Sequence, residues 1–337
     1  MLRVAPDERE AAHDEQAVRR TVHAVLAAAG LPAPMPAHPA VVAAAFAAQA
    51  GEDGHRVLRD AAMRKAPDRT RPDRHGPDGG PHSLAPVRRT GPEGPGPGPA
   101  GPDRTRQSLA PAEPAPYLAR SVARALAMLP AGADPGDGSR VAAWRPADRA
   151  ALDESLALLA AAWPEMLAEL RVCVAQVALL EGRAIDGFTD FAAHGAIHVN
   201  RTRLTASPLG LPGPARFAEA LVHEGTHTRC NAAQLSAPPL TTAADAADPV
   251  RTPLRPDPRP LAGLFQQAVV LARCTALYGR FLAAETAAGT ALAARRDRLS
   301  DRARQAITSL RERSSMLTEH GLAAVEECDS LLRATTV

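Results

Sequence analysis

Residues 214–235 read PARFAEALVHEGTHTRCNAAQL, and the rest of the chain is expected to fold around this stretch. Prolines stand just before and just after it, so the pattern predicts one long helix with defined ends. His223 and His227 are four residues apart, which places them on one helix face, a turn from each other. Two imidazole nitrogens at that separation can bind the same divalent ion.

Glu224 follows His223 directly and points about 100° further around the helix. It is therefore expected to act on a metal-bound water, as a proton-handling group, or to orient a ligand. Gly225 leaves a gap on the core-facing side of the helix and is predicted to allow close packing against the sheet or another helix. The alternative is that both histidines are structural, because so short a motif also arises by chance.

The third metal ligand is left open by the residues themselves. After the motif the chain continues TRCNAA, without the glycine and third histidine that a metzincin peptidase carries. Glu285 could supply a carboxylate from a downstream helix. His194 and His198 are four residues apart on a predicted strand, which would place both on one face, although surface histidines are the commoner outcome. Cys230 shares the histidine face but is expected to be buried rather than a ligand.

Composition argues against several classes of function. The 337 residues carry a formal net charge of only +2, so no global field favours nucleic acid or an anionic membrane. Aromatic residues make up 3% of the chain, too few for a platform that stacks bases. No apolar run reaches the ~18 residues of a membrane helix, and the N-terminus lacks the apolar segment of a secretion signal. The sequence predicts a cytoplasmic protein without nucleic-acid or membrane partners, and its four separated cysteines are predicted to be reduced, buried thiols.

The chain divides into three predicted parts. Residues 1–65 show helical patterns, and residues 66–116 are dense in Pro, Gly, Arg and Asp, which predicts a disordered linker. Residues 117–337 are expected to form the metal domain, with strands predicted at 170–182 and 194–204 and helices in most of the remainder. The predicted fold class is α-rich α+β, a helical domain with a small antiparallel sheet beside the metal helix.

A second stretch, DPVRTPLRPDPRPLAGLFQQAVVLARCTALYGRF at residues 248–281, follows the metal helix. Together with ALVHEGTHTRCNAAQL, it resembles the HExxH-motif family of proteins that modify ribosomal peptide natural products. The resemblance covers about residues 115–335. Members of that family look like 2-oxoglutarate-dependent peptide β-hydroxylases, so the resemblance implies Fe(II) and 2-oxoglutarate as cofactors and a ribosomal precursor peptide as substrate.

Arginines in the second stretch are candidates for holding the co-substrate. A keto acid's far carboxylate suits the fixed fork of a guanidinium, and prolines stiffen the segment that carries Arg255 and Arg259. Arg259 is the first choice for cofactor binding, predicted at the N-cap of the next helix with Pro260 as its first residue. Arg255 is the second choice, and two exposed loop arginines are the alternative reading.

The family pattern places a histidine in the helix after Pro-Arg-Pro, where this chain has Gln266 and Gln267. The third ligand is therefore predicted as the carbonyl of Gln266, as His194 or His198, or as missing. The resulting hypothesis is an Fe(II)/2-oxoglutarate-dependent oxygenase of a peptide side chain, with metal on His223, His227 and Gln266. Two alternatives stand beside it: a zinc-dependent metallopeptidase with Glu224 as general base, and a catalytically inactive peptide-binding protein.

Overall fold

The computed structural model describes residues 2–32, 38–52, 54, 56–57, 109–129, 138–284 and 288–335, with only the backbone at residues 245, 255 and 256. Nine helices lie within these residues: α1 (Glu8–Ala28), α2 (Pro39–Gln49), α3 (Pro116–Ala127), α4 (Pro146–Ala162), α5 (Pro164–Cys173), α6 (Gly213–Ser236), α7 (Leu261–Ala283), α8 (Gly289–Arg311) and α9 (Glu319–Thr335). The strands are β1 (Ala110–Ala112), β2 (Ser139–Ala142), β3 (Gln176–Gly182), β4 (Gly187–Thr189), β5 (Ala196–Asn200), β6 (Val250–Thr252) and β7 (Arg255–Arg259). The predicted α-rich α+β class is confirmed.

The main sheet has β3 and β5 at its centre. These two strands run parallel, with Gln176 opposite Ala196. On the outer side of β3, β1 pairs parallel with its first half and β2 pairs antiparallel with its second half. The strand β4 pairs antiparallel with the other side of β5. The sheet is thus mixed rather than purely antiparallel, and its central strand starts at Gln176 because residues 170–173 belong to helix α5.

Helix α6 packs on one face of this sheet. Ile197 and Val199 of β5 share a hydrophobic core with Phe217 and Leu221 of α6, and all four side chains are fully buried. Further along the same side of the helix, a Cβ at Gly225 would stand 2.1 Å from Leu170 Cδ2 of α5. The predicted role of Gly225 is confirmed, because any side chain there would push α5 away from the metal helix.

Helix α7 is the most apolar long helix of the described residues. By length and composition it could cross a membrane, but 78% of its apolar window is buried inside the protein, as in a core helix. It packs extensively on α8 and also contacts α6 and α9. The four cysteines are free and buried, as predicted, and they lie in the same core.

The N-terminal segment is part of the same body as the metal helix. Buried Arg229 of α6 forms ion pairs with Asp14 and Glu10 of α1, and buried Arg273 of α7 pairs with Glu169 of α5 at 2.6 Å. Arg273 also donates to the carbonyl of Val4, at 2.9 Å. The predicted separation of residues 1–65 from the metal domain is therefore wrong for the described part of that segment.

The predicted linker has a different boundary. Leu109 is buried, and residues 110–112 form strand β1 on the main sheet, so the folded body resumes before residue 117. A strand of three residues, two of them alanines, carries no periodic pattern from which it could be predicted. Residues 66–108 lie outside the described residues, where the linker stays a prediction.

Removing the carboxylate of Asp14 should destabilise the protein by about 3 kcal/mol, because Arg229 would keep its buried charge with weaker partners. We expect Asp14→Ala to show this loss in urea unfolding. The double variant Asp14→Leu/Arg229→Met should recover most of it, since it removes both charges. A double variant as unstable as the single one would show that the ion pair is not the source of the effect.

Candidate metal centre

The two motif histidines lie side by side on α6. Their ring centroids are 5.2 Å apart, with 62° between the ring planes. The side chain of His223 is 31% exposed, so the pair is reachable from solvent. Partial burial, and then the neighbouring His227, lower the pKa of His223 to about 3. His223 is therefore neutral at physiological pH, which is the state in which an imidazole binds a metal.

Gln266 of α7 fixes the orientation of His227. The Nδ1 of His227 lies 2.8 Å from Oε1 of Gln266, and Nε2 of Gln266 donates to Oδ1 of Asn231 at 2.9 Å. An amide oxygen only accepts, so Nδ1 of His227 is the donor in this contact, and in the neutral form of the ring Nε2 is the acceptor nitrogen. A hydrogen bond of this kind is typical of metal-binding histidines. Direct ligation by the Gln266 oxygen would require this bond to break.

Glu224 is held between α6 and the edge strand β4. Its side chain is almost fully buried, and the Thr189 hydroxyl lies 3.0 Å from Oε2 and 3.0 Å from the Glu224 backbone carbonyl. A Cβ at Gly187 would stand 2.8 Å from Oε1, so the absent side chain there makes room for the carboxylate. Oε1 lies 4.0 Å from Nε2 of His223. The carboxylate is thus beside the histidine pair, where its predicted role requires it.

A buried anion, Glu219, lies one turn before His223 and was not singled out from the sequence. Its carboxylate accepts a 2.6 Å hydrogen bond from Tyr278 of α7 and two hydrogen bonds from Arg295 of α8. Burial raises the pKa of Glu219, but the hydrogen bonds and charge of Arg295 outweigh it and lower the pKa. The four-residue spacing of Glu219, His223 and His227 was the sequence signal from which Glu219 could have been identified. This contact ties the polar face of α6 to both neighbouring helices.

The prediction that His194 and His198 share a strand face is wrong. His194 precedes β5, at the end of a short 3-10 helix, and its Nε2 lies 2.8 Å from Oε1 of Glu15. His198 lies within β5, but its neighbours Ile197 and Val199 fill the α6 face, so its ring is on the opposite face. There it stacks on Phe188 at 4.1 Å.

The Arg-Pro-Asp-Pro-Arg segment forms strand β7, paired with β6, rather than a loop. Helix α7 begins at Leu261 with Pro260 as its N-cap, so Arg259 lies one residue before the N-cap and not, as predicted, at it. The guanidinium of Arg259 is 25% exposed and pairs with Asp257 at 2.7 Å. A co-substrate carboxylate would have to share Arg259 with that partner. The backbone of Arg255 lies in the same strand, and its side chain is outside the described residues.

Two imidazoles one turn apart on a helix can offer two ligands to a divalent ion, and a third has to come from another group. Within the described residues, no group of three or more His, Cys, Asp or Glu side chains is arranged to bind a metal. Cys230 is fully buried in the core, as predicted, and burial raises the pKa of its thiol to about 11. Glu285 lies outside the described residues.

No protein-family model matches the chain. A comparison with curated proteins finds no significant match either.

His198 makes the fold sensitive to acid. It is fully buried, and burial lowers its pKa to about 4. Between pH 6.5 and 4, His198 becomes protonated in the unfolded chain but stays neutral in the folded protein. The free energy of unfolding therefore falls with pH, by roughly 3 kcal/mol over the whole range. His198→Phe should remove this part of the loss.

The measurement is the free energy of unfolding of wild type and His198→Phe at pH 7 and pH 5. The two proteins should diverge as the pH falls, with the variant losing less. His320→Phe, at an exposed position, is the control and should follow wild type. Parallel losses in wild type and His198→Phe would contradict this role of His198.

Gln266→Leu should weaken divalent-metal binding by about tenfold or more, the usual cost of losing a histidine's orienting partner. Gln267→Leu is the matched control, since the oxygen of Gln267 has no hydrogen-bond partner among the described residues. Titration with Co(II) measures both affinities. Equal affinities in the two variants would remove the proposed role of Gln266.

Proposed function

We propose that His223 and His227 bind a divalent metal and that the site oxidises a side chain of a ribosomal precursor peptide with Fe(II) and 2-oxoglutarate. The observation that carries the metal site is the adjacent histidine pair with its supporting contact, Nδ1 of His227 on Gln266 at 2.8 Å. The peptide substrate and the cofactors come from the family resemblance of residues 115–335. The proposed location is the cytoplasm.

Each neighbour of the pair has a separate task in this proposal. His223 and His227 supply two imidazole nitrogens, and Gln266 keeps the ring of His227 turned toward the site. Glu224, held by Thr189, presents an acceptor oxygen 4.0 Å from Nε2 of His223. A carboxylate there can receive a proton from a water or substrate group that enters beside His223. Fe(II), when bound, supplies the oxygen chemistry that no side chain provides.

Two protein ligands are fewer than either enzyme class commonly uses. An oxygenase of this type also binds a bidentate keto acid, which adds two ligand atoms to the two imidazoles. A zinc peptidase has no such co-substrate, so a missing third protein ligand weighs more heavily against it. This comparison of ligand numbers favours the oxygenase. Arg259 is the proposed anchor of the keto acid's far carboxylate, through the nitrogen atoms that Asp257 does not occupy.

The zinc peptidase is retained as the second candidate because of Glu224. A buried carboxylate one residue after the first histidine, held beside the pair by Thr189, is placed as a general base for water would be. A zinc peptidase also needs a third protein ligand for the metal, and Glu285 is the residue that the sequence offers for it. An inactive peptide-binding protein is the remaining alternative.

The reaction is tested with purified protein, Fe(II), oxygen, 2-oxoglutarate and a ribosomal precursor peptide. Hydroxylation converts C–H, oxygen and 2-oxoglutarate to C–OH, succinate and carbon dioxide. We therefore expect one added oxygen on the peptide for each succinate formed. His223→Ala should abolish both products, whereas His320→Ala, at an exposed position, should retain them.

Mass spectrometry of the peptide distinguishes the candidates. Peptide-bond cleavage with Zn(II), without any need for 2-oxoglutarate, would replace the oxygenase by the peptidase. Binding of the peptide without any change in its mass, under both metals, would leave the peptide-binding protein.

A further inference from the structure

The strand beside the histidine pair is at the edge of the main sheet. The strands of this sheet are ordered β1-β3-β5-β4, so β4 has β5 on one side and no described strand on the other. All three residues of β4 are partly exposed. Edge strands carry unpaired backbone N–H and C=O groups that can pair with another chain.

The alternation of hydrogen-bonded and non-hydrogen-bonded pairs between β4 and β5 shows which backbone groups of β4 point away from β5. Asn200 of β5 donates its N–H to the carbonyl of Asp186 at 2.8 Å, just before β4 begins. In an antiparallel pair, bonded and non-bonded residue pairs alternate. Phe188 opposite His198 is then the next bonded pair, and Gly187 and Thr189 are the non-bonded positions. The N–H and C=O groups of Gly187 and Thr189 therefore point away from β5.

The same two residues face the candidate metal centre. Gly187 contacts the carboxylate of Glu224, and Thr189 donates to Glu224 with its hydroxyl. Phe188 faces the other way and stacks on His198. The free backbone edge thus runs alongside Glu224, which is itself next to His223.

We propose that the peptide substrate binds as an extended strand along the outer edge of β4, pairing with the backbone of Gly187 and Thr189. The inference rests on the proposed function for the peptide nature of the substrate. An extended residue presents its own N–H and C=O to the same side, which matches what each of these two residues presents. At about 3.3 Å per residue, the edge accommodates roughly three residues of substrate.

This mode of binding explains how the site would accept different residues around the modified one. Main-chain pairing supplies affinity without reading side chains, and every second side chain of the added strand points to the α6 face. A side chain on that face would lie over Glu224 and His223, and its neighbours would point away.

The test measures amide hydrogen exchange at single residues of the full chain, with and without a peptide selected for binding from a library of short random sequences. In the free protein, the amides of Gly187 and Thr189 should exchange quickly and that of Phe188 slowly. With peptide at roughly ten times its Kd, the two fast amides should slow by roughly tenfold. Single N-methyl groups on the peptide should weaken binding at every second position only.

The controls separate this inference from the proposed reaction. His223→Ala should bind the selected peptide with the same protection, because pairing with β4 needs no metal. Protection in this variant together with inactive wild type would remove the oxygenase and keep the edge site. Four results would overturn the edge site: no peptide selected, protection of Gly187 and Thr189 before peptide is added, peptide binding without their protection, or protection that rises with protein concentration alone.

Discussion

The position of helix α6 depends on buried arginines. Arg229 and Arg273 are fully buried, and a buried guanidinium is very costly unless carboxylates surround it. Those carboxylates come from elsewhere in the chain: Asp14 and Glu10 from α1, and Glu169 from α5. The helix that carries the two histidines can therefore pack stably only when the N-terminal segment is also in place. The candidate site is a property of the whole described body rather than of residues 117–337 alone.

A second buried charge secures the polar face of the same helix. Glu219 holds α6 against α7 and α8 through Tyr278 and Arg295. Since Gln266 also lies on α7, this contact helps to set the distance between Gln266 and His227. On the sheet side, Thr189 fixes Glu224 against β4. The histidine pair is thus supported from both sides by polar contacts with separate elements.

Local patterns predicted most of the helices because each has apolar residues at helical spacing between proline or glycine stops. They also placed His223, Glu224 and His227 on one helix and anticipated the close packing at Gly225. They could not show the partners of Asp14 and Glu15, because pairing with residues 215 and 179 positions away leaves no local trace. The prediction that His198 shares a strand face with His194 failed for the same reason. The strand begins after His194, and only the pairing register shows where it begins.

The third ligand shows the limit of reasoning from spacing. Gln266 was singled out by its position after Pro-Arg-Pro, and the structure does bring it to His227, as a hydrogen-bond partner of Nδ1. The prediction of the residue and the prediction of its role are therefore separate matters. Arg259 is similar, because its location near the start of α7 was anticipated while its partner Asp257 was not.

The central claim is that His223 and His227 together bind one divalent metal. Crystals of the full chain loaded with Co(II), measured at the cobalt absorption edge, would locate the ion directly. We expect one anomalous peak bonded to Nε2 of both histidines at about 2.1 Å, with Nδ1 of His227 still on Gln266. Full occupancy at any other place, or no peak between the two rings at saturating Co(II), would contradict it.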